Sequence, residues 1–447
     1  MCFRLTWLLR MGNVGTSHPK THSNTVPMSE HPPGASALPT HHFSSMRGRD
    51  PHEHHRTATP LELLFDLTFV IAFGLAASQL AHLLAEGHYM AGLAGFGFAM
   101  FAVCWAWINF SWFASAFDTD DWIYRLTTMV QMVGVLILAL GLPRMFASID
   151  QGVEVDNDIM VLGYVVMRGA MLFQWLRAAR QYPDGRKACL TYATTILLAQ
   201  IGWVVLIFID MPLLATAASG LALVLVEMTG PVLAERWAGG TPWHAHHIAE
   251  RYGLLAIITL GEGVVGTVAS ISAIVDAQGW NLDAVLICVA GTGLTFGMWW
   301  LYFLLPSGAI LHRFRERSFV WGYGQMIVFG AIAATGAGLH VAAYYIEHKA
   351  HIGAAATVLT VAVPVFVYVL TIFLLYGYLL QRLDAFYILL MAGTTALVIL
   401  PVGLAAVGLD MTICLVVLML APLVPVLGYE LKGHRYGTDA LRQALGT

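Results

Sequence analysis

Long apolar stretches alternate with short polar ones along the chain, and the apolar stretches run for about 20 residues each. At ~1.5 Å of rise per residue, such a run crosses a ~30 Å hydrocarbon core as one α-helix. Twelve stretches qualify, near residues 63–84, 90–114, 123–142, 159–178, 189–209, 212–233, 253–273, 282–304, 319–343, 354–380, 385–408 and 410–429. The turns that separate the last two pairs are short enough to leave eleven as the alternative count. None of the runs has the two-residue alternation and spacing of barrel strands. The pattern therefore predicts an all-α integral membrane fold of about twelve transmembrane helices.

Charge orders these spans. With the amino terminus inside, the cytoplasmic segments collect Arg177, Arg180, Arg186, Lys187, Arg236, Arg251, Arg313, Arg315, Arg317, Arg382, Lys432, Arg435 and Arg442. The exterior loops hold Arg144 and Lys349. By the positive-inside rule both termini are cytoplasmic. Composition agrees, since 58% of the residues are hydrophobic and 11% charged, where a soluble domain carries about a quarter charged. The expected partners are a lipid bilayer and a small solute or ion, with no nucleic acid.

The first ~60 residues are different material, rich in His, Ser, Thr and Pro, and their composition predicts a disordered tail. They hold His18, His22, His31, His41, His42, His52, His54 and His55, eight of the 18 histidines. The opening MCFRLTWLLR lacks an apolar run long enough for a signal peptide, and Met11, Met28 and Met46 are alternative starts. The expected domains are a cytoplasmic tail over 1–55, a membrane domain over 56–430 and a short cytoplasmic tail over 431–447. The five cysteines show no CxxC spacing and read as small buried hydrophobes.

The membrane domain divides into halves, 56–240 and 241–430, that echo each other. HHRTATPLELLF before the first span is similar to HHIAERYGLL before the seventh, and WAWINF in the second span to WWLYF in the eighth. This suggests two parallel six-helix repeats.

Ionisable residues inside the spans are the candidate functional groups, because a charge in hydrocarbon is costly unless something receives it. Glu262 follows the histidine-rich loop TPWHAHHIAERYGL and lies ~13 Å deep if the helix enters the bilayer near Gly253. Thr259, Glu262, Gly263, Gly266 and Ser270 form a small and polar stripe on that helix. Arg168, nine residues before Arg177, lies at the same depth and calls for an ion pair with Glu262 or Glu227. A structural clamp between bundles would explain that pair equally well. Pro231, one turn after Glu227, would kink the sixth span and open a niche beside the carboxylate. Asp66, one turn beyond Glu62, puts two carboxylates on one face at the cytoplasmic mouth. Gln325, Gly336 and His340 share a face of the ninth span. In the loop FDTDDWIYR, Asp118, Asp120 and Asp121 suit a helix cap or a salt bridge with Arg125 better than a cation site. His244, His246 and His247 lack the i, i+4 spacing of a preset metal site and suit a gate.

No HExxH, GxSxG or Walker sequence is present, so no enzyme, cofactor or metal is expected. In order along the chain, LELLFDLTFV, FDTDDWIYR, GYVVMRGA with LRAAR, TPWHAHHIAERYGL with TLGE, and WWLYF resemble the pattern of the bacterial low temperature requirement A family. The likeness runs from about His54 to the end. It implies a multi-pass plasma-membrane protein linked by name to growth in the cold, and it supplies no biochemical activity. The charged motif residues it implies are Glu62, Asp66, Asp118, Asp120, Asp121, Arg125, Arg168, His247, Glu250, Arg251 and Glu262. This chain departs from the pattern at Leu304, Gln325 and His340, where relatives often carry an acid, His and Glu.

The resulting expectation is an ion-coupled secondary transporter. Glu262 would be the coupling carboxylate, Arg168 its counter-charge, and Asp66 and Glu227 the cytoplasmic access residues. Glu62, Asp118, Asp120, Asp121, Arg125, His247, Glu250 and Arg251 would form the cytoplasmic gate. Two alternatives come from other classes: an intramembrane enzyme on a lipid-linked substrate, with the FDTDD loop holding a divalent cation, and a non-transporting membrane sensor or organiser for the cold.

Overall fold

The computed structural model describes residues 43–53, 56–152, 155–209, 211–381 and 385–433; most of both expected tails, with Arg382, Arg435 and Arg442, lies outside them. Among the described residues every regular element is helical. In chain order these are α1 (Pro60–Glu86), α2 (Tyr89–Phe117), α3 (Trp122–Gln151), α4 (Asp158–Gln181), α5 (Arg186–Ile207), α6 (Leu213–Trp237) and α7 (Ala245–Gln278). There follow α8 (Leu282–Tyr302), the short α9 (Ser307–Arg313), α10 (Ser318–Ile346), α11 (Ala354–Leu380), α12 (Ala385–Ala406), α13 (Met411–Leu418) and α14 (Leu423–Gly428). Twelve segments are long and apolar enough to cross a membrane, the twelfth comprising α13 and α14. The protein is a multi-pass membrane protein.

Local chemistry sets the helix ends. Thr59 and Glu62 form a reciprocal capping box at α1, with Pro60 in its first turn, and Gly87 closes the helix in the left-handed region at φ 85°. Asp121 caps α3 and Asn281 caps α8. The sequence pattern differs from the structure at two places. The histidine segment is already helical, because the His244 ring accepts the His247 N–H and starts α7 at Ala245. The last span is broken between Leu418 and Leu423, where Pro422 has no N–H to continue the ladder.

Packing follows one order in both halves. Helix α1 packs on α2 and α3, α3 on α4, α4 on α5, and α5 on α6. Likewise α7 packs on α8 and α10, α10 on α11, α11 on α12, and α12 on α13. Short connections make successive spans antiparallel. Helices α1, α3, α5, α7 and α10 therefore all begin at the end that carries Arg177, Arg186, Arg251 and Arg317. The halves meet where α1 and α2 touch α7 and α10.

Close contact at the α7–α10 seam needs residues without side chains. A Cβ on Gly336 would fall 2.7 Å from the Glu262 carbonyl, and one on Gly266 would fall 2.6 Å from the Gly336 oxygen. Ser270 Oγ donates to the Leu339 carbonyl at 2.7 Å. The small and polar stripe is thus the buried seam, and Val264, Val265 and Val268 on the other side of α7 are exposed. An apolar outer surface over a more polar interior is what a bilayer solvent selects.

Candidate functional site

Three groups of charged side chains lie within the bundle. The first sits where α1 and α7 begin. Arg251 Nη2 donates to Asp66 Oδ1 at 2.5 Å, and Trp107 Nε1 on α2 donates to the same oxygen at 2.7 Å. Arg251 Nη1 lies 2.9 Å from Glu62 Oε1, an ion contact too bent to be a hydrogen bond. His247 Nε2 reaches Glu62 Oε2 at 3.2 Å, and that oxygen also accepts the Thr59 N–H of the capping box at 2.8 Å. Glu62, Asp66, His247 and Arg251 are all fully buried. Two carboxylates sharing one guanidinium leave Asp66 Oδ2, His247 Nδ1 and Arg251 Nε without partners. The cluster is incompletely satisfied.

The FDTDD loop and the segment before α1 cover this cluster. Asp118 is 6% exposed and accepts the Asp120 N–H at 2.9 Å. Burial and the nearby Glu62 charge push the Asp118 carboxyl up to about 6, against the pull of Arg56. Asp120, at φ 47°, holds Arg125 through two hydrogen bonds of 2.8 Å. Asp121 caps α3 and pairs with the buried Arg177 of α4. Burial alone would raise the Asp121 carboxyl, but Arg177 and the N–H groups of Tyr124 and Ser44 hold it below its usual value. The His244 imidazole is lowered by burial. Its Nδ1 must stay unprotonated to cap α7, while Nε2 lies 2.9 Å from the Glu53 carbonyl. Glu250 is exposed and lies 3.4 Å from the Ala58 N–H. Among the described residues no three His, Cys, Asp or Glu side chains converge as a metal site.

The second group is centred on Arg168. Its Nη2 donates to Glu227 Oε2 at 2.5 Å and to the Tyr164 hydroxyl at 2.6 Å. Tyr164 donates to Glu227 Oε2 at 2.9 Å, and Trp203 Nε1 donates to Glu227 Oε1 at 2.9 Å. All four residues are buried. The niche expected at Pro231 is a void of about 10 Å³, room for about one water.

The third is a single carboxyl. Glu262 lies midway along α7 and is 7% exposed. Its Oε1 faces Gly74 of α1, where a Cβ would come within 3.1 Å. Neither a hydrogen bond nor an ion pair reaches the carboxyl from any described residue.

Of the two partners expected for Arg168, the structure selects Glu227 of α6 and not Glu262 of α7, the expected coupling carboxyl: α5 packs on both α4 and α6, while α7 packs on α8 and α10. Glu227, expected with Asp66 as a cytoplasmic access residue, is the ion-pair partner of Arg168. Glu62, Asp66, His247 and Arg251 do come together, with Asp118 close by. Arg125 and Glu250 stand at the exposed edge. Gln325 and Gly336 are buried on α10, and His340 is half-buried. Sequence reasoning missed Trp107, Tyr164, Trp203 and Arg177 as site residues. Tyr164 precedes Arg168 by one helical turn, a spacing that was available to read. The tryptophans and Arg177 come from separate helices and carry no local signal.

A family model, described as Bacterial low temperature requirement A protein (LtrA), matches residues 57–422. An uncharacterized protein of Rhizobium meliloti (strain 1021) is 26% identical over 303 residues, covering 62% of this chain and 67% of that protein. No solved structure matches. The family match takes in all three charged groups and most of the described helices, so the chain belongs to the bacterial low temperature requirement A family.

Proposed function

We propose that the protein is an ion-coupled secondary transporter of the bacterial plasma membrane, with Glu262 as its coupling carboxyl. The observation that carries this reading is the bare carboxyl in the middle of α7. At that depth a carboxyl must be neutralised by a proton or a cation, and one without a resident partner is free to exchange either. Its position at the α1–α7–α10 meeting point, where the halves touch, suits a site whose access alternates between two sides.

The remaining groups take roles around it. The basic end is cytoplasmic by the positive-inside rule, with both termini on that side. The matching order of helix contacts supports two parallel six-helix repeats. Glu62, Asp66, His247 and Arg251 then form a cytoplasmic gate across the two repeats, with Asp118 and the Asp121–Arg177 pair bracing it. Arg168 and Glu227 act as a clamp within the first repeat. An enzymatic cation site at the FDTDD loop is disfavoured because Arg125 occupies the Asp120 carboxylate.

The test is flux in sealed liposomes. Wild-type protein is expected to dissipate a pH gradient when the right solute is added, and Glu262→Gln to abolish this while keeping its fold. Solute-driven proton movement that survives in Glu262→Gln, or absence of any gradient-linked flux across a broad solute screen, would rule out the reading.

A further inference from the structure

Three exposed histidines from separate stretches of the chain meet at the basic end, outside the charged groups described above. His312 of α9 is the middle ring. It lies 5.4 Å from the His52 ring, edge to face, and 5.7 Å from the His246 ring. His52 belongs to the segment before α1, and His246 to the first turn of α7. Through Ser307, Gly308 and Ala309, α9 forms one wall of a cavity of about 310 Å³, and His246 lines the same cavity. The fit is close, since a Cβ on Gly308 would fall 2.9 Å from His246 Nδ1. Beside His52, the segment before α1 is tied down on both sides. The Arg49 N–H donates to the Ala116 carbonyl at 2.9 Å, and the Glu53 carbonyl lies 2.9 Å from His244 Nε2.

No carboxylate stands ready for a charge on these rings. Elsewhere His88, His247 and His351 each pair with an acid. Among the described residues no ion pair reaches His52, His246 or His312. The nearby acids are engaged: Glu53 is held by Arg49 at 2.9 Å, and Glu316 lies 4.0 Å from Arg317. Glu250, one turn after His246 on α7, meets the Ala58 N–H at 3.4 Å. His244, 6.0 Å from His246, is committed to the backbone at both ring nitrogens. The other charges here are cations. Arg313 follows His312, Arg315 lies over the Trp243 ring and donates to its carbonyl at 3.0 Å, and Arg56 is buried against the Ala114 carbonyl. Neutral imidazoles can pack ring on ring, and imidazole is the side chain that ordinarily changes charge between pH 5 and 8. Three imidazolium ions at these spacings, beside Arg313 and Arg315, repel one another with no partner to offset it.

We infer that His52, His246 and His312 form a proton-operated latch at the basic end. Neutral, the rings hold α9 and the segment before α1 against the start of α7. Protonated, they push α9 off the cavity wall and loosen the segment that covers the Glu62–Arg251 cluster. The closed arrangement is thus favoured at neutral pH and lost as pH falls. The latch operates whether or not Glu262 couples an ion.

Hydrogen–deuterium exchange of the full-length protein in nanodiscs at pH 7.5 and 5.5 tests this, after correction for the intrinsic pH dependence of amide exchange. In the wild type, exchange across α9 and residues 46–53 is expected to rise about fivefold at pH 5.5, while α4 and α5 stay unchanged. The triple variant His52→Gln, His246→Gln, His312→Gln keeps His244 and His247 and should show no rise. His312→Gln alone removes the middle ring and should lose at least about half of the response, which keeps the test open if the triple variant folds poorly. Equal corrected exchange at the two pH values in the wild type overturns the inference. So does a full response in His312→Gln or in the triple variant, which would assign the effect to His244 or His247. A rise shared equally by α4 and α5 is general loosening and overturns it as well.

Discussion

Glu227 and Glu262 are carboxyls of membrane-spanning helices, and both are buried, at 6% and 7% exposure. Glu227 receives hydrogen bonds from Arg168, Tyr164 and Trp203. Glu262 receives none from the described residues. The cost of burying a charge is met in the first case by protein groups that are permanently in place, and in the second it is left to a proton or an ion. Burial and depth alone therefore do not mark a functional acid. What separates the two is whether the protein has already supplied the partner.

The sharpest way to break this contrast is to make Glu227 resemble Glu262. Arg168→Ala removes the guanidinium and leaves the α6 carboxylate buried against Tyr164 of α4 and Trp203 of α5. Loss of one member of a buried pair costs about 3–5 kcal/mol, because the other charge remains desolvated. We expect a large drop in melting temperature and yield in detergent. The double variant Arg168→Ala, Glu227→Gln should recover much of the loss, since the stranded charge is gone. An Arg168→Ala protein that melts like wild type would show that the clamp contributes nothing.

The two carboxyls were not equally legible in the sequence. Twelve apolar runs foretold twelve crossing segments to within a few residues at most ends, because length and hydropathy are what a bilayer selects. The charged positions were equally visible, since few ionisable residues interrupt those runs. Their pairing was not, as Arg168 can reach a carboxylate only on a helix that packs nearby, and packing order is a tertiary fact. The same limit hid Trp107 and Trp203, whose N–H groups complete the two clusters from separate helices. The start of α7 was hidden differently. A histidine acting as its cap looked like loop chemistry, and the polar first turns looked like solvent-facing chain until Glu62 and Asp66 were placed opposite them.

Asp118 is an intermediate case at the basic end, buried like the other two, with a backbone N–H as its bonded partner and Arg56 nearby. Its carboxyl ordinarily ionises near 3.8 and is raised to about 6 by burial and by Glu62. Well below pH 3.8 it is protonated in both folded and unfolded chains and has no effect on stability. Above pH 6 the folded protein carries a desolvated carboxylate that the unfolded chain would hydrate, so folding is penalised. Asp118→Asn keeps the oxygen that accepts the Asp120 N–H and removes the charge. It should stabilise the protein by ~1–3 kcal/mol above pH 6, with the gain fading toward pH 4. Melting curves from pH 4 to 8 check this; a gain independent of pH would assign the effect to something other than ionisation.

Glu262 itself should respond least in stability and most in activity, which is the reverse of Arg168. Glu262→Gln keeps the size of the side chain against Gly74 and Gly336 and strands no partner, since none is bonded to it. The expected change in unfolding free energy is below ~1 kcal/mol, against about 3–5 kcal/mol for Arg168→Ala. The two variants compared in one detergent, by melting temperature and by proton flux after reconstitution, separate a structural carboxyl from a working one. If Glu262→Gln instead unfolds as readily as Arg168→Ala, the carboxyl has a partner in the membrane that holds the fold together. Glu262 would then join Glu227 as a clamp, and the case for coupling through α7 would be lost.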